Sequence, residues 1–295
     1  MSIRVATFNF YCRPRWSFWD NQVIRAKLIA KEIEELEEKE GRKIDVLCLQ
    51  EIVDNKVHKI LKKELKKIGF IFKSKRLDTT WRLNGGIIIY SRCPIIEQSS
   101  MVFKLKNSYI WNAPASKGAV CVKVMKDSKY FHIVNTHLDS FKEELRKKQM
   151  CNMRDWLDNK CIPEDEAIII CGDYNIDYHN EEINNVDEIF EYQFAEIDSS
   201  NSVCDYSITK DNDWVKRRIT SKNDPDKKSE LLDFFIYDGE DVTSAKMKIV
   251  DLEHKQKAHN IIYSTPFFFN ILTPWKKLKV KDMSDHYMVM CDFKC

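Results

Sequence analysis

Residues 284–287 are Ser284-Asp285-His286-Tyr287, and they border the last apolar run of the chain. Other acidic, amide and imidazole groups stand beside short apolar runs elsewhere in the sequence: Asn9, Glu51, His137, Asp173 and Asn175. The end of such a run is where a β-strand delivers a side chain to one rim of a sheet. This recurring arrangement predicts a sheet-based fold that collects its functional groups at a single rim.

The runs between these groups predict an α/β protein. Apolar residues with helical spacing predict helices over residues 21–39, 56–68 and 142–158. Strands are predicted over the following ranges: 3–10, 46–49, 130–138, 167–171, 231–237 and 286–293, with 85–90 and 119–125 forming a strand pair around an irregular loop. We expect one domain over residues 1–295, with strands in the centre and helices outside.

Composition limits the class of protein. The chain has 295 residues, of which 43% are hydrophobic and 32% charged, as in soluble globular proteins. Its seven glycines and seven prolines leave no room for a long flexible linker. The net charge of +2 argues against a dedicated polyanion binder, although a local basic patch is compatible with it.

The N-terminus and the cysteines bear on location. Residues 1–9 have no basic region followed by a long apolar stretch, so we expect no secretory signal peptide. No segment approaches the roughly 20 apolar residues that span a bilayer. Without a signal, the ten cysteines are expected to be free thiols in a reducing compartment. The prediction is a cytoplasmic protein, peripheral on membranes if it binds them.

Glu51 is the strongest candidate for a metal ligand, because its carboxylate directly follows a buried strand. Mg²⁺ prefers oxygen ligands and takes only one or two protein carboxylates, with waters completing its shell. Asn9 would contact the same ion or orient its water.

Two histidines are available for proton transfer. Asp285 precedes His286, but neighbours on an extended strand point to opposite faces, so the two need not pair. Asp285 or Asp173 could each orient a histidine from elsewhere, and His137 is the natural partner on the opposite side of a phosphate. Each group alone has an ordinary structural explanation. Together they predict metal-assisted phosphodiester hydrolysis.

These residues resemble those of the endonuclease/exonuclease/phosphatase superfamily, whose fold is a four-layer α/β/β/α sandwich like that of DNase I. The resemblance covers nearly the whole chain and is strongest to neutral, Mg²⁺-dependent sphingomyelinases of the bacterial type. The distinguishing segments are Pro14-Arg15-Trp16, Gln50-Glu51-Ile52-Val53-Asp54-Asn55, Asn84-Gly85-Gly86-Ile87, Ala115-Ser116-Lys117-Gly118 and Trp275. The Lys-Gly pattern is less specific, since inositol polyphosphate phosphatases carry related ones.

The resemblance implies a role for each of these positions. Glu51 would be the principal Mg²⁺ ligand with Asn9 close to it, for one or two ions that Mn²⁺ or Co²⁺ could replace. His286 would be the general base that activates water, with Asp285 in its supporting network. His137 would act on the leaving-group side or bind phosphate.

The same resemblance implies that Asp173 and Asn175 hold the nucleophile, a metal-bound water or the phosphate oxygens. Nucleases of the superfamily give the Asp173 position the role of base, so His286 and Asp173 remain alternatives. Lys117 would be a cation near the phosphate. Asp233 matches a buried aspartate with a supporting role.

The segment around residues 263–281 is unlike a nuclease tail. Apolar residues from Phe267 to Trp275, followed by lysines, would suit an interfacial hairpin that wedges into lipid headgroups, or a core strand with a solvated basic end.

The expected function is therefore Mg²⁺-dependent hydrolysis of sphingomyelin to ceramide and phosphocholine. The expected partner is a phospholipid at a membrane surface, bound by a monomer that does not use nucleic acid. The alternatives are an endonuclease or an inositol polyphosphate phosphatase using the same site, or a catalytically silent membrane-binding module.

Overall fold

The computed structural model describes residues 1–12, 22–77, 85–103, 116–215, 229–252, 259–262, 277–280 and 282–295. Its strands form two large sheets. The seven-stranded sheet has, in order, β10 (Glu196–Ile197), β12 (Ser244–Val250), β15 (Met288–Lys294), β1 (Ser2–Cys12), β2 (Val46–Ile52), β4 (Ile88–Ser91) and β3 (Phe72–Lys73). The six-stranded sheet has, in order, β5 (Ile95–Val102), β6 (Gly118–Lys126), β7 (Lys129–His137), β8 (Ala167–Asp173), β11 (Asp233–Asp238) and β9 (Gln193–Phe194).

Four helices accompany the sheets in the described part of the chain: α1 (Gln22–Glu40), α2 (Asn55–Lys67), α3 (Glu143–Asp158) and α4 (Asn184–Phe190). A separate antiparallel pair consists of β13 (His259–Ile262) and β14 (Lys277–Val280). None of the described helices combines the length and the apolar character needed to cross a membrane.

The order of the sheets and helices in layers follows from which of their faces are apolar. Val46 and Cys48 of β2 belong to the core cluster that joins the two sheets, whereas Leu47 and Leu49 pack with α1 and α2. On the other side, Met150 and Met153 of α3 pack on the six-stranded sheet. The order helix, sheet, sheet, helix confirms the predicted four-layer sandwich.

The second helix shows how local sequence sets these elements. The Asp54 side chain caps α2 by accepting hydrogen bonds from the amides of Lys56 (2.8 Å) and Val57 (3.0 Å). Val57, Leu61 and Leu65 recur every four residues and are buried against the sheet. A cap and an apolar stripe therefore start this helix and orient it.

One predicted strand pairing is wrong. Residues 85–90 and 119–125 do not pair, because β4 lies between β2 and β3 while β6 lies between β5 and β7 of the other sheet. The strand β5 was missed because it is a sheet edge whose exposed residues include the polar Glu97, Gln98 and Ser100. An edge strand of this kind lacks the apolar alternation on which the prediction relied.

Strand direction brings the functional groups to one rim. Strands β1 and β2 run parallel, as do β7 and β8, so their carboxyl ends lie at the same rim. Strands β15 and β11 run antiparallel to β1 and β8, so it is their amino ends that reach this rim. Asp285 and His286 lie in a bend before β15, so His286 is not inside the strand predicted over residues 286–293.

Candidate active site

The candidate site lies where the two sheets meet at this rim. Asn9 is near the end of β1, Glu51 near the end of β2, His137 ends β7 and Asp173 ends β8. Asp233 begins β11. Asn9, His137, Asp173, Asp233 and His286 are all buried, with 6% exposure or less.

One amide joins the predicted metal ligand to the opposite sheet. The Asn9 side-chain nitrogen donates to Glu51 Oε1 at 3.3 Å and to Asp173 Oδ2 at 2.9 Å. The Asn9 side-chain oxygen in turn accepts the amide of Tyr11 at 3.0 Å. Asn9 is therefore held rigidly between two carboxylates, one from each sheet.

The direction of the Glu51 side chain depends on an unusual backbone conformation. Strict alternation would place it with Leu47 and Leu49 on the helical side of β2. Instead, Glu51 has a φ of 59°, in the left-handed region, and its carboxylate reaches the site. Gly86 allows this turn, because a Cβ there would lie 2.2 Å from the Ile52 nitrogen.

His286 is oriented by a carboxylate from the other sheet. Its Nδ1 is 2.6 Å from Asp233 Oδ2, and its Nε2 lies 3.8 Å from Asp173 Oδ2. The residue hydrogen-bonded to this imidazole is thus Asp233, and the predicted Asp285 acts on His286 through its charge, which also raises the pKa of the ring. Burial lowers the pKa of His286, but the charges of Asp233 and Asp173 outweigh burial and raise the pKa to about 10.

Lys117 and His137 form the opposite side of the cluster. The Lys117 ammonium contacts His137 Nε2, and that same ring nitrogen is 3.4 Å from Asp173 Oδ2. Burial, together with the Lys117 charge, holds the pKa of His137 well below its usual value. Burial also lowers the pKa of Lys117, against the attraction of Asp173 and Glu51. This side of the site therefore offers a neutral imidazole next to a cation.

The carboxylates fit a bound cation. Burial raises the pKa of Glu51, and the nearby Asp285 charge raises it further. Burial likewise raises the pKa of Asp173, although His286 opposes the rise. Two carboxylates that share one amide donor and resist ionisation make a place where a hard cation would relieve repulsion.

The protein supplies only part of a coordination shell. Among the residues that the structure describes, no three His, Cys, Asp or Glu side chains are arranged to hold an ion together. Mg²⁺ commonly keeps several waters and uses one or two carboxylates, so the donor set suits this ion.

The two remaining predicted residues, Asn175 and Asp285, lie beside the cluster. The amide nitrogen of Asn175 donates to Asp173 Oδ1 at 3.0 Å, and its side chain donates to the Leu138 carbonyl at 3.0 Å. The Ser284 hydroxyl donates to the Asn9 carbonyl and lies 3.2 Å from Asp285 Oδ1. All predicted site residues therefore lie in or beside the same cluster.

A buried amide bridge, not predicted from the sequence, lies beneath the site. The Gln50 side chain donates to Thr7 Oγ1 at 2.9 Å and to Asn135 Oδ1 at 2.7 Å. The Asn135 nitrogen donates to the carbonyls of Leu49 and Ile88, both at 3.0 Å. Amides within otherwise apolar strand runs were the signal that could have indicated it.

The predicted lipid-contacting segment, from Phe267 to Trp275, lies outside the described residues. The strands that border it, β13 and β14, are paired antiparallel with Ile262 opposite Lys277. The prediction that this segment is a membrane-inserting hairpin stays a prediction.

Comparisons with known proteins place this site in a family. Residues 6–286 match the Endonuclease/Exonuclease/phosphatase family. Sphingomyelinase C from Bacillus cereus is 29% identical over 216 residues, which cover 70% of this chain and 60% of that protein. The chain thus spans about 60% of the length of this curated relative and less of the next two, both sphingomyelinases from Leptospira interrogans.

Solved structures show the same fold. A mutant of beta toxin from Staphylococcus aureus, with bound magnesium ions, has a TM-score of 0.81, 21% identity and full coverage of both chains. Sphingomyelinase C from Streptomyces griseocarneus has a TM-score of 0.78 and 21% identity, with 99% of each chain covered. The predicted resemblance is confirmed, and the chain belongs to the endonuclease/exonuclease/phosphatase family.

Proposed function

We propose that this protein is a Mg²⁺-dependent phosphodiesterase that hydrolyses sphingomyelin to ceramide and phosphocholine. The observation that carries the proposal is the arrangement around Asp173. The Asp233–His286 pair and the Lys117–His137 pair both approach Asp173 Oδ2, and the Asn9 amide joins Asp173 to Glu51. Two relatives of this chain are sphingomyelinases C, and this similarity favours sphingomyelin over other phosphodiesters as the substrate proposed here.

Glu51 would hold the cation, with Asn9 fixing the carboxylate through its amide nitrogen. When bound there, Mg²⁺ would polarise a phosphoryl oxygen, neutralise developing charge and lower the pKa values of nearby bases. The site would take one or two such ions, which Mn²⁺ or Co²⁺ could replace.

His286 is the better candidate for the general base. Asp233 occupies its Nδ1, so the Nε2 nitrogen is the one that faces the cluster. Asp173 already accepts hydrogen bonds on both oxygens, from Asn175 and Asn9. These bonds suit a carboxylate that positions its neighbours better than one that takes a proton from water.

The Lys117–His137 side would stabilise the phosphate and the leaving group. Lys117 brings a positive charge that no described carboxylate pairs with at salt-bridge distance, and such a charge attracts the phosphate oxygens. His137 is adjacent to Lys117 and to Asp173, so it can contact the departing oxygen from the opposite side to His286.

The substrate would be reached at a membrane surface by a monomer that stays peripheral. The strands β13 and β14, which border the predicted lipid-contacting segment in the sequence, are paired antiparallel. All ten cysteines are free thiols, which supports the prediction of a reducing compartment.

The test is a hydrolysis panel. Wild-type protein with Mg²⁺ or with EDTA is given sphingomyelin, phosphatidylcholine, lysolipids, inositol phosphates or plasmid DNA. We expect Mg²⁺-dependent release of phosphocholine that Glu51→Gln reduces by at least about 100-fold, since it weakens the metal site. The variant Glu97→Gln, which alters an exposed carboxylate on β5, is the matched control and should retain full activity.

Three results would overturn the proposal. Nicking of DNA without phosphocholine release would indicate a nuclease, and phosphate release from inositol phosphates alone would indicate a phosphatase. Binding to vesicles with no hydrolysis of any substrate would indicate a membrane-binding module.

A further inference from the structure

Phe141 is an exposed aromatic residue near the rim that carries the candidate site. It is 70% exposed, more than any other large hydrophobic side chain in the described part of the chain. It follows the catalytic candidate His137 by four residues, a length of chain that spans at most about 14 Å. The aromatic ring is therefore exposed to solvent only four residues along the chain from a site residue.

The loop that carries Phe141 is held firmly from below. The buried Asp139 carboxylate accepts the amides of Phe141 (2.9 Å) and Lys142 (3.0 Å). The amide of Asp139 donates to the Gln149 side chain (2.8 Å), and its carbonyl accepts from Arg146 (3.2 Å). Gln149 and Arg146 are themselves buried on α3.

An ordered loop with an outward aromatic ring leaves apolar surface available for burial against an apolar partner. Fixing the backbone spends conformational entropy, and leaving the ring in water forgoes the gain from burying it. The ring lies next to the exposed residues Ser140 and Lys142, with Glu143 beyond them. A single aromatic residue among small and charged neighbours suits the headgroup region of a lipid bilayer, where amphipathic rings partition.

We propose that Phe141 is a membrane-contacting residue that inserts into the headgroup layer beside the entrance of the site. This inference rests on the proposed function, since it assumes a lipid substrate. It places a lipid contact on the His137 loop, separate in sequence from the predicted lipid-contacting segment, Phe267 to Trp275. A protein partner is disfavoured, because protein hot spots lie within a surrounding apolar patch and Phe141 stands among polar exposed residues.

The test compares vesicles with a soluble substrate. Wild-type protein, Phe141→Ala and Phe141→Trp are given sphingomyelin–phosphatidylcholine vesicles, which carry no net charge, and a short-chain phosphocholine diester below its micelle concentration. We expect Phe141→Ala to lower vesicle co-sedimentation, and the ratio of vesicle activity to soluble activity, on the order of tenfold. Phe141→Trp should restore both readouts, since it keeps an interfacial ring.

Ile71→Ala is the matched control. Ile71 is 60% exposed, but it borders β3, whose Phe72 lies opposite Ser91 at the end of the sheet away from Glu51. This variant should behave as wild type in both assays. Thermal unfolding of each variant checks that the fold is retained.

The outcomes separate this inference from the function that it assumes. If wild-type protein releases phosphocholine from neither substrate, the proposed function fails. If wild-type protein is active and Phe141→Ala matches it on vesicles, the inference alone fails. Equal loss on vesicles and on soluble substrate would also overturn it, because Phe141 would then act inside the site.

Discussion

At the scale of single residues, Asp233 changes how the site is understood. The sequence placed it among supporting residues, and the structure places its carboxylate on His286 Nδ1 at 2.6 Å. A carboxylate in that position fixes which ring nitrogen faces the reaction, because the engaged nitrogen carries a proton. The neighbouring Asp285 instead lies by the Ser284 hydroxyl.

The Asp233–His286 pair predicts a pH-dependent stability in metal-free protein. The folded-state pKa of His286 is raised to about 10, above its unfolded value. The pair therefore stabilises the fold fully below a pH of about 6.5, and this contribution is lost as the pH rises through about 10. We expect a loss on the order of 5 kcal/mol in the free energy of unfolding, measured by urea titration with EDTA.

Asp233→Asn should remove most of this pH-dependent loss, because it removes the charge that raises the pKa of His286. His286→Gln is the control. It deletes the titrating group, so the free energy of unfolding should no longer fall between these pH values. The interpretation would be wrong if both variants lost as much stability between these pH values as wild-type protein.

At the scale of elements, the last residues of β2 carry both support and chemistry. Gln50 faces the other sheet and bonds Asn135, while Glu51 turns into the site through its left-handed backbone. Asn135 on β7 returns two hydrogen bonds to β2 and β4. This bridge sets the spacing of the two sheets directly below the carboxylates.

Asn135→Leu should therefore cost both stability and activity. It leaves buried polar groups of Gln50, Leu49 and Ile88 short of a partner, a loss of about 2–4 kcal/mol in unfolding free energy. Urea unfolding measures this loss, and phosphocholine release should fall because Glu51 adjoins the bridge.

The matched control is Ile133→Val on the same strand, away from the rim, which should cost only about 1 kcal/mol. If the loss of activity in each of the two variants were proportional to its loss of unfolding free energy, the bridge would have no positioning role.

At the scale of the whole molecule, the two sheets bring together residues from strands far apart in the chain. The near-neutral net charge of +2 also limits the partner. Hydrolysis of uncharged vesicles should change less than about twofold between 50 and 200 mM NaCl, because it does not depend on releasing counterions. A nuclease making several phosphate contacts would lose about 10³-fold or more in DNA affinity over the same range.

Salt titration of vesicle hydrolysis, with plasmid binding measured in parallel, checks this prediction. Tight plasmid binding at low salt that collapses at high salt would contradict it and would favour the nucleic-acid alternative.

The sequence by itself determined an α/β fold with strands inside and helices outside, most of its elements and the residues that gather at the rim, and the resemblance to a known family added the four-layer sandwich. Apolar periodicity encodes each strand and helix locally, and the end of each apolar run marks where a polar group emerges. The edge strand β5 was not predicted, because many of its residues are exposed and polar. Only the tertiary structure decided which groups pair. Asp233 contacts His286, and Lys117 contacts His137, because these residues lie where the two sheets face each other. Glu51 reaches the site because one left-handed residue beside Gly86 breaks the alternation of β2.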